Sequence, residues 1–147
     1  MVNDSLNTIV RNLLDIFPPL FKKTFKQGNF IKNSEITPVL FGILDLLYFE
    51  NELSLTEISQ RKAITSSNCS RAINKLTKLG YTTRRVDKTD RRKTLISLTD
   101  DGKSFVEKIH QKIETEIKKI LSSLNDKELK VLKEASDDLY EILSKII

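Results

Sequence analysis

Between Asp87 and Thr94 the chain reads D-K-T-D-R-R-K-T, which places Lys88, Arg91, Arg92 and Lys93 within six residues. Like charges at this spacing repel one another, and a turn gains no stability from them. They suit polyanion chemistry. Lysine and arginine neutralise phosphates, and an arginine fits a narrow minor groove, where the negative potential is deepest. A second polar group lies upstream in S-S-N-C-S-R, residues 66–71. The Arg71 guanidinium can bond bidentately to guanine O6 and N7, and the Asn68 amide can do the same for adenine. Ser66 and Ser67, at a helix start, suit a phosphate or simply cap that helix. Arg84 and Arg85 are neighbours in a strand-like run and must alternate faces. One of them, Arg84, is assigned to nucleic acid, and the other pairs with an acid.

The charge is concentrated in one place. Residues 61–93 hold eleven Lys/Arg against two Asp, a net +9, so the chain's overall +5 leaves −4 for the rest. A mildly acidic body carrying one basic segment is the footprint of a nucleic-acid reader more than of a solvated lysine-rich face. Other chemistry lacks its residues. His110 is the single histidine and has no cysteine or acid at ligand spacing, so exposure or a structural hydrogen bond is expected of it. Asp100-Asp101 and Asp137-Asp138 diverge around a helix and cannot act as an acid/base couple. Neither catalysis, a metal nor a cofactor is expected. Cys69, at an inward helical position, reads as core packing, with oxidant sensing through its thiol as an alternative. No apolar run approaches the ~20 residues of a membrane span. The first residues lack the order of a signal peptide, and one cysteine fits a reducing cytoplasm.

The elements that must position these groups follow from periodicity and caps. Gly (4) and Pro (3) are scarce among the 147 residues, so helix should dominate. Leu6, Ile9, Val10, Leu13, Leu14, Phe17, Phe21 and Phe25 recur at helical spacing over residues 6–27. Pro18-Pro19 predicts a break or sharp kink near Ile16 to Pro18, because proline removes a helical hydrogen bond and clashes with the preceding turn. Thr37-Pro38 opens a second, apolar and central helix to about Glu50. Ser54-Leu55-Thr56-Glu57 is a capping box that opens a short helix ending near Lys62. Thr65 caps a helix over Ser66 to Leu79, with Gly80 just past its end. Two strands, Tyr81 to Val86 and Thr94 to Leu98, enclose the basic tip as a hairpin. Thr99 caps a helix over residues 100–122, and Asn125 to Glu128 is a second box opening a last helix over 126–146. The outcome is a mainly α (α+β) chain of order α-α-α-α-β-β-α-α. A helix-turn-helix followed by a hairpin is a winged helix, whose second helix enters the major groove while the hairpin tip meets backbone or minor groove.

D-R-R-K-T-L-I-S-L-T-D-D-G-K, residues 90–103, resembles the wing signature of the MarR family of bacterial regulators: Asp-Arg-Arg, a strand, then Leu-Thr-x-x-Gly. The upstream S-x-x-S-R-A-I-N-K-L-T-K-L-G-Y is similar to the family's recognition helix and following turn. The resemblance implies a homodimeric repressor or activator on a palindromic operator. Residues 1–34 and 99–147 would build the dimer, and residues 35–98 would bind DNA. By matched position Arg91 is the wing arginine entering the minor groove, and Asp90 orients a neighbouring arginine. Ser66, Ser67, Asn68, Arg71 and Lys75 face the major groove. The family often responds to small phenolic or lipophilic effectors. If Pro18-Pro19 opens a gap, Phe17, Leu20, Phe21 and Phe25 would line an effector cavity, the alternative being that these residues simply fill the core. The chain departs from the family's usual pattern in Pro18-Pro19 and in Cys69, where a small aliphatic is common. The rival reading is a winged helix used for protein contact.

Salt separates the two readings. Affinity for duplex DNA should fall on the order of 10³-fold between about 50 and 200 mM salt, through counterion release. An affinity that barely moves over that range favours protein contact.

Overall fold

A computed structural model of the chain describes residues 2–28 and 35–146, and the side chains of 3–24 and 35–146. Its elements are α1 (Val2–Gly28), α2 (Pro38–Glu50), β1 (Glu52–Ser54), α3 (Leu55–Arg61), α4 (Ser66–Lys78), β2 (Thr82–Val86), β3 (Thr94–Leu98), α5 (Asp100–Leu121) and α6 (Asp126–Leu143). They fall into two compact units, Asn29–Lys112 and Met1–Gly28 with Ile113–Ile147, so that α5 is shared.

Caps define the helices of the first unit. The Thr37 hydroxyl accepts the Leu40 N–H at 3.3 Å, and Pro38 sits where its missing N–H costs nothing. Ser54 and Glu57 form the reciprocal box at α3, with the Ser54 N–H donating to Glu57 Oε2 at 2.8 Å. Thr65 accepts the Asn68 N–H at 3.2 Å to start α4. α2 buries one broad face through Leu40, Phe41, Ile43, Leu44 and Leu47, rather than most of its circumference. Ile58 of α3, Ile73 and Leu76 of α4, Ile96 of β3 and Val106 of α5 complete this core.

The sheet has three antiparallel strands in the order β1-β3-β2, with Leu53 and Arg84 both opposite Ile96. β1 is an addition to the expected order. Three residues are too few to show alternation, and Ser54 doubles as the cap of α3, which masks the strand. Asn51, at φ 63°, turns the chain from α2 into it. The β2–β3 hairpin is the wing. Its base is anchored at Thr99, whose hydroxyl donates to Gly80 O at 2.5 Å and accepts the Gly102 N–H at 3.1 Å. The Thr99 N–H donates to Tyr81 O at 3.0 Å.

One expectation is corrected in the second unit. α1 runs unbroken through Pro18 and Pro19. The carbonyls that lose an N–H partner there belong to Leu14 and Asp15, both exposed residues, so the lost bonds fall outside the packed part of the chain. Apart from Thr24, no described side chain of α1 is buried. α6 opens on its own box, the Glu128 N–H donating to Asn125 Oδ1 at 2.9 Å, yet buries none of its residues.

Gly102 tests how closely α5 seats on the end of α4. A Cβ built there lies 2.1 Å from the Tyr81 carbonyl oxygen, a backbone atom held by Thr99. Gly102→Ala should therefore cost about 1–3 kcal/mol by overpacking. Gly42→Ala in α2 meets only the flexible end of Lys62, at 3.0 Å. It should be neutral or stabilising, given alanine's ~1 kcal/mol helical advantage over glycine. Thermal melts of the two variants check the contrast.

Candidate nucleic-acid interface

At 100° per residue, α4 separates cleanly into two faces. Cys69, Ile73 and Leu76 are buried on one side. Ser67, Asn68, Arg71, Asn74, Lys75 and Lys78 fall within an arc of about 120° on the other, and all six are exposed. Ser66, the first residue of the helix, is exposed but lies off this stripe. The buried face locks α4 onto α3 and the core, so the polar stripe is presented rigidly.

Within the stripe the arginines are held by amides. Arg71 Nη2 donates to Asn68 Oδ1 at 2.5 Å. Arg84 of β2 reaches α4, its Nη2 donating to Asn74 Oδ1 at 2.6 Å. Arg85, on the opposite face of the strand, pairs with Glu52 of β1, its Nε 2.6 Å from Oε1 and its Nη2 against Oε2. The strand's alternation thus sends one arginine to the reading helix and the other across the sheet. Neither Asn74 nor Glu52 was singled out in the sequence. Each becomes visible only when β2 is placed against α4 and β1.

At the wing tip the two aspartates are committed to turn formation. Asp87 Oδ1 accepts the Thr89 N–H and hydroxyl, both at 2.7 Å, and these bonds hold its carboxyl below the usual carboxylate range. Asp90 Oδ1 accepts the Arg92 N–H at 3.1 Å and Nε at 3.3 Å, making Arg92 the arginine that Asp90 orients. Even so, the Arg92 side chain is 93% exposed. Lys93 is exposed too. Lys88 and Arg91 are exposed, and among the described residues neither has a hydrogen-bond or ion-pair partner. Their charges face solvent from a structured turn.

The remaining candidates have structural surroundings. His110 Nε2 lies 2.6 Å from Asp45 Oδ1, with its ring stacked on Phe49 at 5.9 Å, which joins α5 to α2. Cys69 is 0% exposed, its Sγ 3.6 Å from the Leu55 carbonyl, and burial pushes its thiol pKa up. Phe17 and Phe21 are exposed on α1 and Leu20 is half-buried, while the side chain of Phe25 lies outside the described residues. The break expected beside these residues is not present, since α1 is continuous.

Comparison with known proteins agrees with this arrangement. Residues 42–102 match a family described as a winged helix DNA-binding domain. The HTH-type transcriptional regulator YkoM of Bacillus subtilis is 30% identical over 137 residues, 91% of this chain and 83% of its own. The crystal structure of transcriptional regulator Tm0710 from Thermotoga maritima is similar at a TM-score of 0.81 and 26% identity, over 95% of this chain and 96% of that one. A MarR family protein from Bacillus stearothermophilus has the same fold at a TM-score of 0.72 and 21% identity, over 98% and 99% of the two chains.

The surroundings of Cys69 set its reactivity, since only an exposed thiolate attacks quickly. An aromatic disulfide reagent should leave the folded chain unmodified on a timescale over which the denatured chain reacts completely. Rapid labelling of the folded protein near neutral pH would return Cys69 to consideration as an oxidant sensor.

Proposed function

Because this chain belongs to the MarR family of winged-helix transcriptional regulators, we propose that it acts as a homodimer on a palindromic operator. It is a DNA-binding regulator of the helix-turn-helix type, and the proposal concerns how it engages DNA. In each subunit α4 enters the major groove, and the wing tip follows the backbone to the flanking minor groove.

The observation that carries this reading is the exposed polar stripe of α4 beside a wing tip whose Arg91 and Lys88 have no hydrogen-bond or ion-pair partner among the described residues. Arg91 enters the minor groove, where charge and width are read. Lys88, Arg92 and Lys93 meet phosphates on either side of it. Ser67, Lys75 and Lys78 contact backbone along the major groove, with Ser66 at the helix start. In this reading the protein works in the cytoplasm, where its DNA partner and a reduced Cys69 coexist.

The dimer is supported by the second unit. α1 exposes Leu6, Ile9, Val10, Leu14, Phe17 and Phe21, and α6 exposes Val131, Leu132, Tyr140 and Ile142. Tyr140 is 77% exposed and Leu14 64%. Apolar faces of this extent mark an association surface, and a two-fold pairing of identical chains covers both copies at once. Phe17, Leu20 and Phe21 then belong to the covered face, and their occupant is the second chain in place of a lipophilic effector.

Selection from a pool of random duplexes should return an inverted repeat whose half-site centres lie about 34–36 Å apart, or a multiple of that. Arg91→Ala should lower affinity for every selected site without altering the preferred sequence, because the minor groove distinguishes bases poorly. Sedimentation should give a dimer at micromolar concentration. A monomer there, or a selected site with no two-fold symmetry, overturns the proposal.

A further inference from the structure

The stripe on α4 contains two asparagine–arginine couples, Asn68 with Arg71 and Asn74 with Arg84. All four side chains are exposed. Neutral amides hold these arginines where carboxylates hold Arg85 and Arg92. A carboxylate would cancel the charge that a nucleic acid attracts. An amide fixes the direction of the guanidinium and leaves its charge intact.

The direction of each amide follows from its partner. A guanidinium has five donors and no acceptor, so the atom facing it must be the amide oxygen, and the NH₂ group turns away. Each couple therefore turns its amide oxygen toward the arginine and directs donors outward: the amide NH₂ and the unused guanidinium N–H groups. Guanine offers two adjacent acceptors in the major groove, N7 and O6. Adenine places its N6 donor beside N7, and cytosine presents its N4 donor. A couple that faces outward with donors matches guanine better than adenine. A lone asparagine, with oxygen and NH₂ both available, would choose adenine.

We infer that Asn68 is a positioning residue that aims Arg71 at guanine and reads no base itself, and that Asn74 positions Arg84 in the same way. The inference rests on the operator reading above and assigns base class within it. It reverses the role that the Asn68 amide suggests when considered alone.

The full-length chain and five variants, each carried through selection from random duplexes, test it. For the first couple, the wild type should enrich guanine at one position of each half-site. Arg71→Ala should lose that preference, by roughly tenfold or more. Asn68→Ala should relax the same position, because an unaimed arginine discriminates poorly. Asn68→Asp keeps an acceptor for Arg71. It should preserve the guanine even though its added negative charge lowers affinity for all duplexes. Asn74→Ala and Arg84→Ala should alter one shared position. If Asn68→Ala relaxes an adenine that Arg71→Ala leaves untouched, Asn68 reads a base and the inference is overturned. Separate positions for Asn74→Ala and Arg84→Ala overturn the second couple. Failure of the wild type to enrich any sequence is a different result, because it removes the operator reading before any variant is compared.

Discussion

Thr99 is the point on which the geometry of the DNA-reading unit depends. Its hydroxyl donates to the Gly80 carbonyl at the end of α4 and accepts the first-turn N–H of Gly102 in α5. Its backbone N–H donates to the Tyr81 carbonyl at the entrance to β2. One residue thus closes the C-terminus of the reading helix, the base of the wing and the start of α5. Two glycines make the closure possible. Gly80 takes φ 81°, in the left-handed region where glycine carries no penalty, and Gly102 leaves room for the Tyr81 carbonyl. Tyr81 stacked on Phe105, with ring centroids 4.8 Å apart, packs the same corner. The angle between α4 and the wing is therefore set largely by bonds from Thr99 to backbone atoms, which leaves the exposed side chains of both free to vary.

A basic surface must be built without folding collapsing its charges into internal ion pairs. Here the acids near the interface are committed to shape. Asp87 and Asp90 hold the turn of the tip, Glu57 closes the cap of α3, and Glu52 takes Arg85 across the sheet. Hydrogen bonds from Ser54 hold the Glu57 carboxyl low, so it stays ionised through neutral pH. Exposed pairs of this kind contribute little stability, so their value is geometric. What remains outward is a set of cations whose mutual repulsion is relieved only by an external anion.

Features that depend on local chemistry were legible in the sequence. The caps at Thr37, Ser54, Thr65 and Asn125 each bond a nearby N–H, and each appears where its residue type stands before an apolar run. The hairpin and the helix-turn-helix followed from the same cues. Features that depend on how elements meet were not legible. β1 exists because β3 offers an edge to Glu52–Ser54, not because three residues prefer extension. Asn74 matters only because the register of β2 brings Arg84 alongside it. The prolines of α1 misled because both lost bonds fall on exposed residues, Leu14 and Asp15, of a helix that buries only Thr24 among its described side chains.

α6 is well capped and eighteen residues long, yet keeps none of its side chains out of water. A helix in that condition draws little stability from burial within its own chain, although packing of an amphipathic face normally supplies most of a helix's stability. In the proposed homodimer the free energy of the unit then contains a term in the abundance of the molecule itself. Dilution would loosen α6 as surely as warming, and the number of copies in a cell becomes a variable of folding as well as of occupancy.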